Sequence, residues 1–359
     1  MMIKEVVRMK NKMSQNPYML IFGKEPDQLI SRSAQLSEVI ENFNAEKSGQ
    51  PVYMITGLRD CGKTVFMTEA ASVLDKNDKW IVIELSSATD LLRDLAEQLA
   101  SENKLALMFQ KASINLSFWG IGLEVSGSVP ITNIQVALTK ILESLKKHKK
   151  RVLICIDEVV NNVHMQEFAS VFQILLRKDL PVFLLMTGLY KNINSLRNEK
   201  NLTFLYRAPR IELKPLNLGT ISENYKSVFG LEVNDALQMA KLTLGYSFAF
   251  QVMGYYTWVE NGDYKKAIPD VKRHLEDYVY EKVWSELSKR DRLIIYGIAK
   301  SETGKAEEIK MITGIKHNEY TPYRDRLLKR GIIRNESYGH TSFVLPFFGE
   351  YAVRMYEYL

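Results

Sequence analysis

The sequence is poor in cysteine and has no long apolar run. Only two of its 359 residues are cysteine, Cys61 and Cys155, and they lie far apart without the spacing of metal ligands. This excludes a disulfide-stabilised scaffold and the usual kind of zinc site, and it predicts a reducing, cytoplasmic location. No segment reaches the roughly 18 uninterrupted apolar residues of a membrane span, so we expect no membrane partner. The first residues, MMIKEVVRMKNKM, carry charges throughout and lack the apolar stretch of a secretory signal.

The composition is that of an ordinary globular protein with a small excess of positive charge. Hydrophobic residues make up 46% and charged residues 25% of the chain, which is enough apolar material for a core. The length predicts about two or three domains. The net charge of +6 permits an acidic partner such as nucleic acid without requiring one.

Short apolar runs alternate with longer helical patterns from Val52 onward. This alternation predicts βαβ units around a mostly parallel five-stranded sheet. The predicted strands are nearly all apolar, as strands buried on both faces should be, and span residues 52–56, 80–85, 152–156, 182–187 and 210–213. The helices predicted between them span residues 64–74, 90–111, 133–147 and 165–177.

The segment 113–130 interrupts this alternation and predicts a β-hairpin. Trp119-Gly120 supplies the turn between two arms of alternating apolar residues. The apolar residues are Ile114, Leu116 and Phe118 on one arm and Ile121, Leu123 and Val125 on the other. The hairpin is either a packed addition to the sheet or a functional probe.

Beyond Leu213 the pattern becomes helical. We predict helices near 219–229, 234–244, 246–260 and 269–287, then a helix, two shorter helices and two short strands from residue 289 onward. The predicted organisation is a loose arm (1–16), an α/β core (17–216), a helical domain (217–288) and a C-terminal domain (289–359).

The segment Gly57-Leu58-Arg59-Asp60-Cys61-Gly62-Lys63-Thr64 fits the phosphate-loop pattern G-x-x-x-x-G-K-[ST] in full. It lies between an apolar strand and a helix that continues with Val65, the context that this motif requires. We expect Gly57 and Gly62 to adopt left-handed dihedral angles, which turn backbone N–H groups toward phosphate oxygens. Lys63 would bind the β- and γ-phosphates of ATP, and the hydroxyl of Thr64 would bind Mg²⁺.

The apolar strand ending in Asp157 and Glu158 predicts the catalytic carboxylates. Carboxyl ends of parallel strands are where ligands bind in open α/β sheets. Asp157 would hold Mg²⁺ through water, and Glu158 would act as general base on the attacking water. The following strand ends in Thr187, which either senses the γ-phosphate or simply closes the strand.

Two arginines near the last predicted strand admit two roles each. Arg207 or Arg210 could stabilise charge on the γ-phosphate as a finger, in cis or across a subunit interface. Either could equally anchor its segment by pairing with a carboxylate. Cys61, within the phosphate loop, is predicted to be a small packing residue.

These motifs resemble those of the AAA+/STAND-type P-loop ATPases of bacteria and archaea, which are related to origin-recognition initiators. Ile30-Ser31-Arg32 is similar to that family's apolar-Gly-Arg box, and the resemblance implies adenine contact by Ile30 and Arg32. Gly245-Tyr246-Ser247-Phe248 is similar to the start of the family's lid helix, with Ser247 where proline is usual.

The segment 307–333 resembles a winged helix, with its last two helices near 306–313 and 320–330 and a wing through 331–335 and 340–345. Tyr323, Arg324 and Arg326 on the second helix suit contact with duplex DNA. Glu319 and Asp325 on the same helix would repel a duplex. Packing on the core or binding of a protein is the alternative.

The resemblance implies an α/β P-loop NTPase fold, with a parallel five-stranded sheet of the AAA+ type, a helical lid and a winged helix. It implies an ATP-binding, Mg²⁺-dependent ATPase that forms ADP slowly without a partner. Its nucleotide state would control the lid and winged helix, with a homo-oligomer or a protein partner involved. The alternative is a DNA-binding regulator or mobile-element accessory factor whose ATP hydrolysis is slow or incidental.

Overall fold

The computed structural model describes residues 15–21, 26–102, 105, 114–120, 130–200, 202–337 and 339–358. Backbone contacts divide the chain into two compact units. We call Arg32–Thr56 together with Lys63–Glu212 the sheet unit. The described residues of Met1–Ser31, Gly57–Gly62 and Leu213–Leu359 form the helical unit. Within the described part of the chain, no helix is long and apolar enough to cross a lipid bilayer.

The sheet unit is built on five parallel strands in the order β2-β3-β4-β1-β5. The prediction of a parallel five-stranded sheet is therefore confirmed. The strands are β1 Val52–Thr56, β2 Trp80–Ser86, β3 Arg151–Asp157, β4 Val182–Gly188 and β5 Arg210–Glu212. The helices are α1 Ser33–Asn44, α2 Lys63–Asp75, α3 Leu91–Ser101, α4 Ile134–Lys147, α5 Val163–Arg177, α6 Tyr190–Arg197 and α7 Thr203–Arg207.

Apolar side chains cover the sheet on both faces. Alternate residues of β1 point to opposite faces: Val52 and Met54 join a core that includes the apolar sides of α3, α4 and α5. Tyr53 points the other way and meets Phe43 of α1, with ring centroids 5.6 Å apart. Burial on both faces explains why the strands are apolar at nearly every position.

The register aligns the carboxyl ends of the strands at one edge of the sheet. Thr56 is paired with Gly188, and Ser86 is paired with Asp157. Asp157 and Thr187, predicted to act together, are therefore brought to the same edge.

The first arm of the predicted hairpin is not a strand. Residues 117–119 form a 3₁₀ turn that ends at Gly120 in the left-handed conformation. The turn forms because the side chain of Asn115 accepts hydrogen bonds from the Ser117 N–H and hydroxyl, which bends the chain. The second arm, with Ile121, Leu123 and Val125, lies outside the described residues, as does much of the predicted helix beyond residue 102.

The helical unit contains nine α-helices among its described residues and a two-stranded antiparallel sheet. Its helices are α8 Leu218–Phe229, α9 Val233–Leu242, α10 Ser247–Val259, α11 Tyr264–Leu275, α12 Glu281–Ser285, α13 Lys289–Lys300, α14 Ala306–Thr313, α15 His317–Lys329 and α16 Phe348–Glu357. Its strands are β6 Ile333–Ser337 and β7 His340–Phe343.

An N-terminal segment is anchored on the helices that follow Leu213. Tyr18 is only 1% exposed, stacks on Phe229 at 5.7 Å and meets Phe250 edge-on at 5.6 Å. Its hydroxyl donates to Asn224 Oδ1 at 2.7 Å. We predicted residues 17–31 to be part of the α/β core, whereas backbone contacts place the described residues of this segment, 17–21 and 26–31, in the helical unit. Most of the predicted loose arm, residues 1–14, lies outside the described residues.

The helix predicted to begin at Pro269 begins five residues earlier. Asp263 caps α11 by accepting a hydrogen bond from Lys266 N–H, which sets the start at Tyr264. Pro269 therefore lies inside the helix instead of opening it. A π-helical turn, Glu276–Tyr280, then links α11 to α12.

The helical unit continues past residue 288, where we predicted a domain boundary. Lys272 Nζ lies 2.6 Å from Glu350 Oε2, and Arg354 Nη2 lies 2.7 Å from Glu276 Oε2. Tyr280 packs on Phe348 with ring centroids 5.2 Å apart. These contacts involve α16, a helix that we did not predict.

Candidate nucleotide-binding site

The phosphate loop has the backbone irregularity that its motif implies, but not at both glycines. Gly62 has a φ of 90°, and Asp60 a φ of 56°, both in the left-handed region. The prediction for Gly57 was wrong, because its φ is not in this region. A Cβ at Gly57 would lie 2.4 Å from Cys61 Sγ, so glycine is required there by close packing. Cys61 is buried, as a packing residue should be.

Two side chains at the start of α10 bind backbone carbonyls of the phosphate loop. Loop residues 57–62 and α10 both belong to the helical unit. The Tyr246 hydroxyl donates to the Arg59 carbonyl at 2.8 Å, and the Ser247 hydroxyl donates to the Cys61 carbonyl at 3.1 Å. Burial raises the pKa of the Tyr246 phenol well above its usual value, so it stays a donor at all ordinary pH. Ser247 occupies the position where the resembled family has proline, and here its hydroxyl gives it a contact that proline could not make.

Arg59 connects the same loop to the C-terminal part of the helical unit. Its Nη2 lies 3.3 Å from Glu286 Oε1. Glu286 also binds Arg330, whose Nη2 lies 3.4 Å from Oε2 and whose Nη1 donates to the Glu286 carbonyl at 3.3 Å. Beside this pair, a Cβ on Gly331 would lie 3.2 Å from the Leu58 side chain. The loop is thus in contact with the residues that precede α13 and follow α15.

The sheet unit brings together the hydroxyl and carboxylates predicted to act on Mg²⁺ and water. The Thr64 hydroxyl, in the first turn of α2, donates to Asp157 Oδ2 at 2.7 Å. The Thr187 hydroxyl donates to the other carboxylate oxygen of Asp157. Glu158 follows directly, and its side chain is exposed to solvent. Lys63, by contrast, is only 7% exposed and opens α2.

This donor set suits a hard divalent cation. Mg²⁺ binds oxygen ligands, usually one or two from protein side chains together with waters and phosphate oxygens. Thr64 and Asp157 offer a hydroxyl and a carboxylate close enough to share one ion. No cluster of three His, Cys, Asp or Glu side chains suited to a metal occurs in the residues that the structure describes. Because Mg²⁺ takes about six oxygen ligands, waters and nucleotide oxygens would complete its coordination.

Thr187 is held in place by hydrogen bonds at the end of β4. It is fully buried, and besides donating to Asp157 its hydroxyl accepts the Glu158 N–H at 3.2 Å. These bonds give it a part in holding the two carboxylates. Contact with the γ-phosphate stays a prediction for Thr187, as adenine contact does for Ile30 and Arg32, which are both partly buried.

The two candidate finger arginines differ in their surroundings. Arg207 is exposed at the end of α7, and within the described residues its guanidinium has no carboxylate partner. Arg210 lies over the ring of Tyr190, 5.0 Å from its centroid. Both roles of Arg207, the finger and the anchor, stay predictions.

The arginines of α15 that we considered for DNA contact are engaged within the helical unit. Arg324 binds Asn335 and lies 3.3 Å from Thr341 Oγ1, both on the two-stranded sheet. Arg326 Nε donates at 3.0 Å to Asp291, whose carboxylate is only 2% exposed, and its guanidinium lies over Tyr323. These side chains hold α15 to its neighbours.

Two family models match parts of the chain. Residues 29–179 match the model of a family described as an ATPase domain predominantly from Archaea. Residues 277–352 match a domain of unknown function. No curated protein shows significant sequence similarity to the chain.

Two solved structures share the fold at low sequence identity. The Walker-type ATPase PABY2304 of Pyrococcus abyssi is 17% identical, with 91% of this chain and 96% of that chain covered and a TM-score of 0.62. The ORC2 protein of Aeropyrum pernix, solved as ADPNP and ADP complexes, is 14% identical, with 94% and 96% covered and a TM-score of 0.57.

The chain shares its fold with this Walker-type ATPase and with this ORC2 protein, and the matched ATPase domain model covers the phosphate loop, Asp157 and Glu158.

Proposed function

We propose that the protein binds ATP with Mg²⁺, hydrolyses it, and uses the nucleotide state to change the arrangement of its helical unit. Lys63 would bind the β- and γ-phosphates, and Thr64 and Asp157 would hold Mg²⁺. Bound Mg²⁺ supplies charge neutralisation at the phosphates. Glu158 would accept the proton of the attacking water, a role open to it because its carboxylate is exposed at the end of β3.

The observation that carries the switch is the chain of ion pairs from Arg59 through Glu286 to Arg330. Arg59 is part of the phosphate loop, so a change in the loop on nucleotide binding alters one end of this chain. Glu286 and Arg330 flank α13–α15. We propose that α13–α15 with β6 and β7 form a winged helix, three helices followed by an antiparallel pair, and that this region responds to the nucleotide.

Hydrogen exchange with ATP–Mg²⁺ and with ADP tests this proposal. In the natural protein, exchange in β6, β7 and α15 should differ between the two nucleotides, and Lys63→Ala should abolish the difference. Glu286→Gln should still bind ATP but lose most of the response. Glu319→Gln is the matched control, because Glu319 lies on α15 and pairs with Arg290, 3.8 Å away, instead of with Arg59 or Arg330. Identical exchange with both nucleotides in the natural protein would refute the switch.

The alternative function, duplex-DNA binding through α15, has weaker support from the geometry. Arg324 and Arg326 already have partners within the unit, and freeing them would leave the buried Asp291 carboxylate unpaired. We therefore do not assign duplex binding to this helix. Salt-dependent duplex binding that Arg324→Gln weakens would reverse this conclusion.

A further inference from the structure

Glu158 has a backbone conformation that residues other than glycine rarely adopt. Its φ is 48°, in the left-handed region, where the Cβ of an L-residue is crowded by the neighbouring peptide. Its side chain is exposed, so packing of the carboxylate does not enforce this conformation. The backbone on either side must therefore hold it.

Hydrogen bonds from both neighbouring strand ends fix the peptides around Glu158. Its N–H donates to the Thr187 hydroxyl at 3.2 Å, and the N–H of Val159 donates to the Thr187 carbonyl at 2.9 Å. On the other side, the Ser87 hydroxyl donates to the Glu158 carbonyl at 3.4 Å. β4 and the end of β2 thus hold Glu158 between them.

Ser87 is itself held in place by the start of α5. The Asn162 side-chain amide donates to the Ser87 carbonyl at 2.7 Å. The carbonyl oxygen of the same side chain caps α5 by accepting the Met165 N–H at 2.9 Å. Ser87 is buried, so its hydroxyl has little access to water as an alternative partner.

We propose that Ser87, supported by Asn162, is a positioning residue that keeps the Glu158 carboxylate aimed at the attacking water. The proposal rests on the proposed function, in which Glu158 is the general base. Ser87 touches neither nucleotide nor water in this role. It acts by selecting the left-handed backbone conformation, and loss of its hydroxyl releases Glu158 into conformations that aim the carboxylate elsewhere.

Steady-state ATPase kinetics of Ser87→Ala test the proposal. Loss of one hydrogen bond of this kind should lower kcat about threefold to tenfold while KM for ATP stays unchanged. Ser144→Ala is the matched control, because Ser144 is 7% exposed and Ser87 8%, and Ser144 lies within α4 instead of at the end of a strand. A kcat for Ser87→Ala equal to that of Ser144→Ala would overturn the proposal.

Asn162→Ser provides a second variant that does not alter Ser87. Serine can still cap α5 but lacks the amide donor, so kcat should fall in the same way with KM unchanged. Unchanged kcat in this variant would remove Asn162 from the proposal.

Glu158→Gln separates failure of this proposal from failure of the proposed function. Undiminished turnover in Glu158→Gln would refute Glu158 as base, whatever Ser87→Ala does. If Glu158→Gln is slow, Ser87→Ala should have no further effect in the Glu158→Gln background, because both changes act through one carboxylate. A further threefold to tenfold fall in the double variant would show that Ser87 acts elsewhere and would overturn its positioning role.

Discussion

Replacing Gly254 by alanine should destabilise the helical unit, although the same change would ordinarily stabilise a helix. Gly254 lies inside α10, where alanine is favoured over glycine by about 1 kcal/mol. A Cβ at this position would, however, lie 2.4 Å from both Cδ1 and Cε1 of Tyr18. The Tyr18 ring must shift or leave its site.

The expected loss in the free energy of unfolding follows from the contacts that hold Tyr18 in place. Overpacking of a filled core costs about 1–3 kcal/mol. Expulsion of the ring would cost about 1.5–3 kcal/mol in burial, and its hydrogen bond to Asn224 about 0.5–1.5 kcal/mol more. With the gain of about 1 kcal/mol in helix propensity subtracted, we expect Gly254→Ala to lower the free energy of unfolding of this unit by up to about 2 kcal/mol if the ring shifts within its site, and by about 1–3.5 kcal/mol if the ring is expelled.

Native-state hydrogen exchange of the α8 and α10 amides measures the stability of this unit directly, without assuming that the whole chain unfolds in one step. In a Tyr18→Ala background the clash is absent, so Gly254→Ala should instead stabilise the helical unit by up to about 1 kcal/mol. The reasoning is refuted if Gly254→Ala stabilises the natural protein, or if its effect is the same in both backgrounds.

Three further predictions concern the site and the C-terminal region. Lys63→Ala should abolish the rise in melting temperature that ATP–Mg²⁺ gives the natural protein, because the charge on the β- and γ-phosphates is lost; equal stabilisation of both proteins would contradict the phosphate-loop assignment. If Arg207 is a finger supplied in trans, Arg207→Ala should leave the melting temperature and ATP affinity unchanged but abolish any rise of specific activity with protein concentration, since such a finger contributes about 10³–10⁵ in rate. A lowered melting temperature would instead support the role of Arg207 as a structural anchor. Hydrogen bonds from Ser301 and Thr303 lower the pKa of Glu308 from 4.5 to about 2. Because this pKa is depressed in the folded state, the stabilisation is present above the ordinary carboxyl pKa and is lost as pH falls from about 4.5 toward 2. The difference in denaturation midpoint between the natural protein and Glu308→Gln should shrink over this range, and a constant difference would contradict the assignment.

The parts of the fold that follow from local pattern were predictable from the sequence. Each strand of the sheet is an apolar run set off by polar or turn residues, and a strand buried on both faces must be so. The phosphate loop could be located because its chemistry needs fixed residue types at fixed spacing. The position of Asp157 and Thr187 at one edge of the sheet follows from the rule that carboxyl ends of parallel strands share one edge.

The features that sequence reasoning missed depend on contacts between residues far apart in the chain. Tyr18 reaches Asn224 across 206 positions, and nothing in the local pattern near Tyr18 indicates a partner. Ser87 carried no signal, because a serine after a strand is usually a turn residue. Asn162 did carry one, since it precedes an apolar helix in the manner of an N-cap, but its second bond to Ser87 could not be inferred. Gly57 was misinterpreted because glycine serves both left-handed turns and close packing, and only the position of Cys61 distinguishes them.

The burial of both natural thiols makes the protein suited to site-specific labelling. Cys61 is buried and packs closely against Gly57. Burial raises the pKa of the Cys155 thiol in β3 to about 12, which keeps this thiol protonated at neutral pH. A cysteine introduced at an exposed position would therefore be alkylated well before either of the two natural cysteines. Val163 at the start of α5 is 59% exposed and Met311 in α14 is 82% exposed, one in each unit. Fluorophores attached at these two positions would report, by energy transfer, any nucleotide-dependent change in the distance between the units, with the natural cysteines left in place.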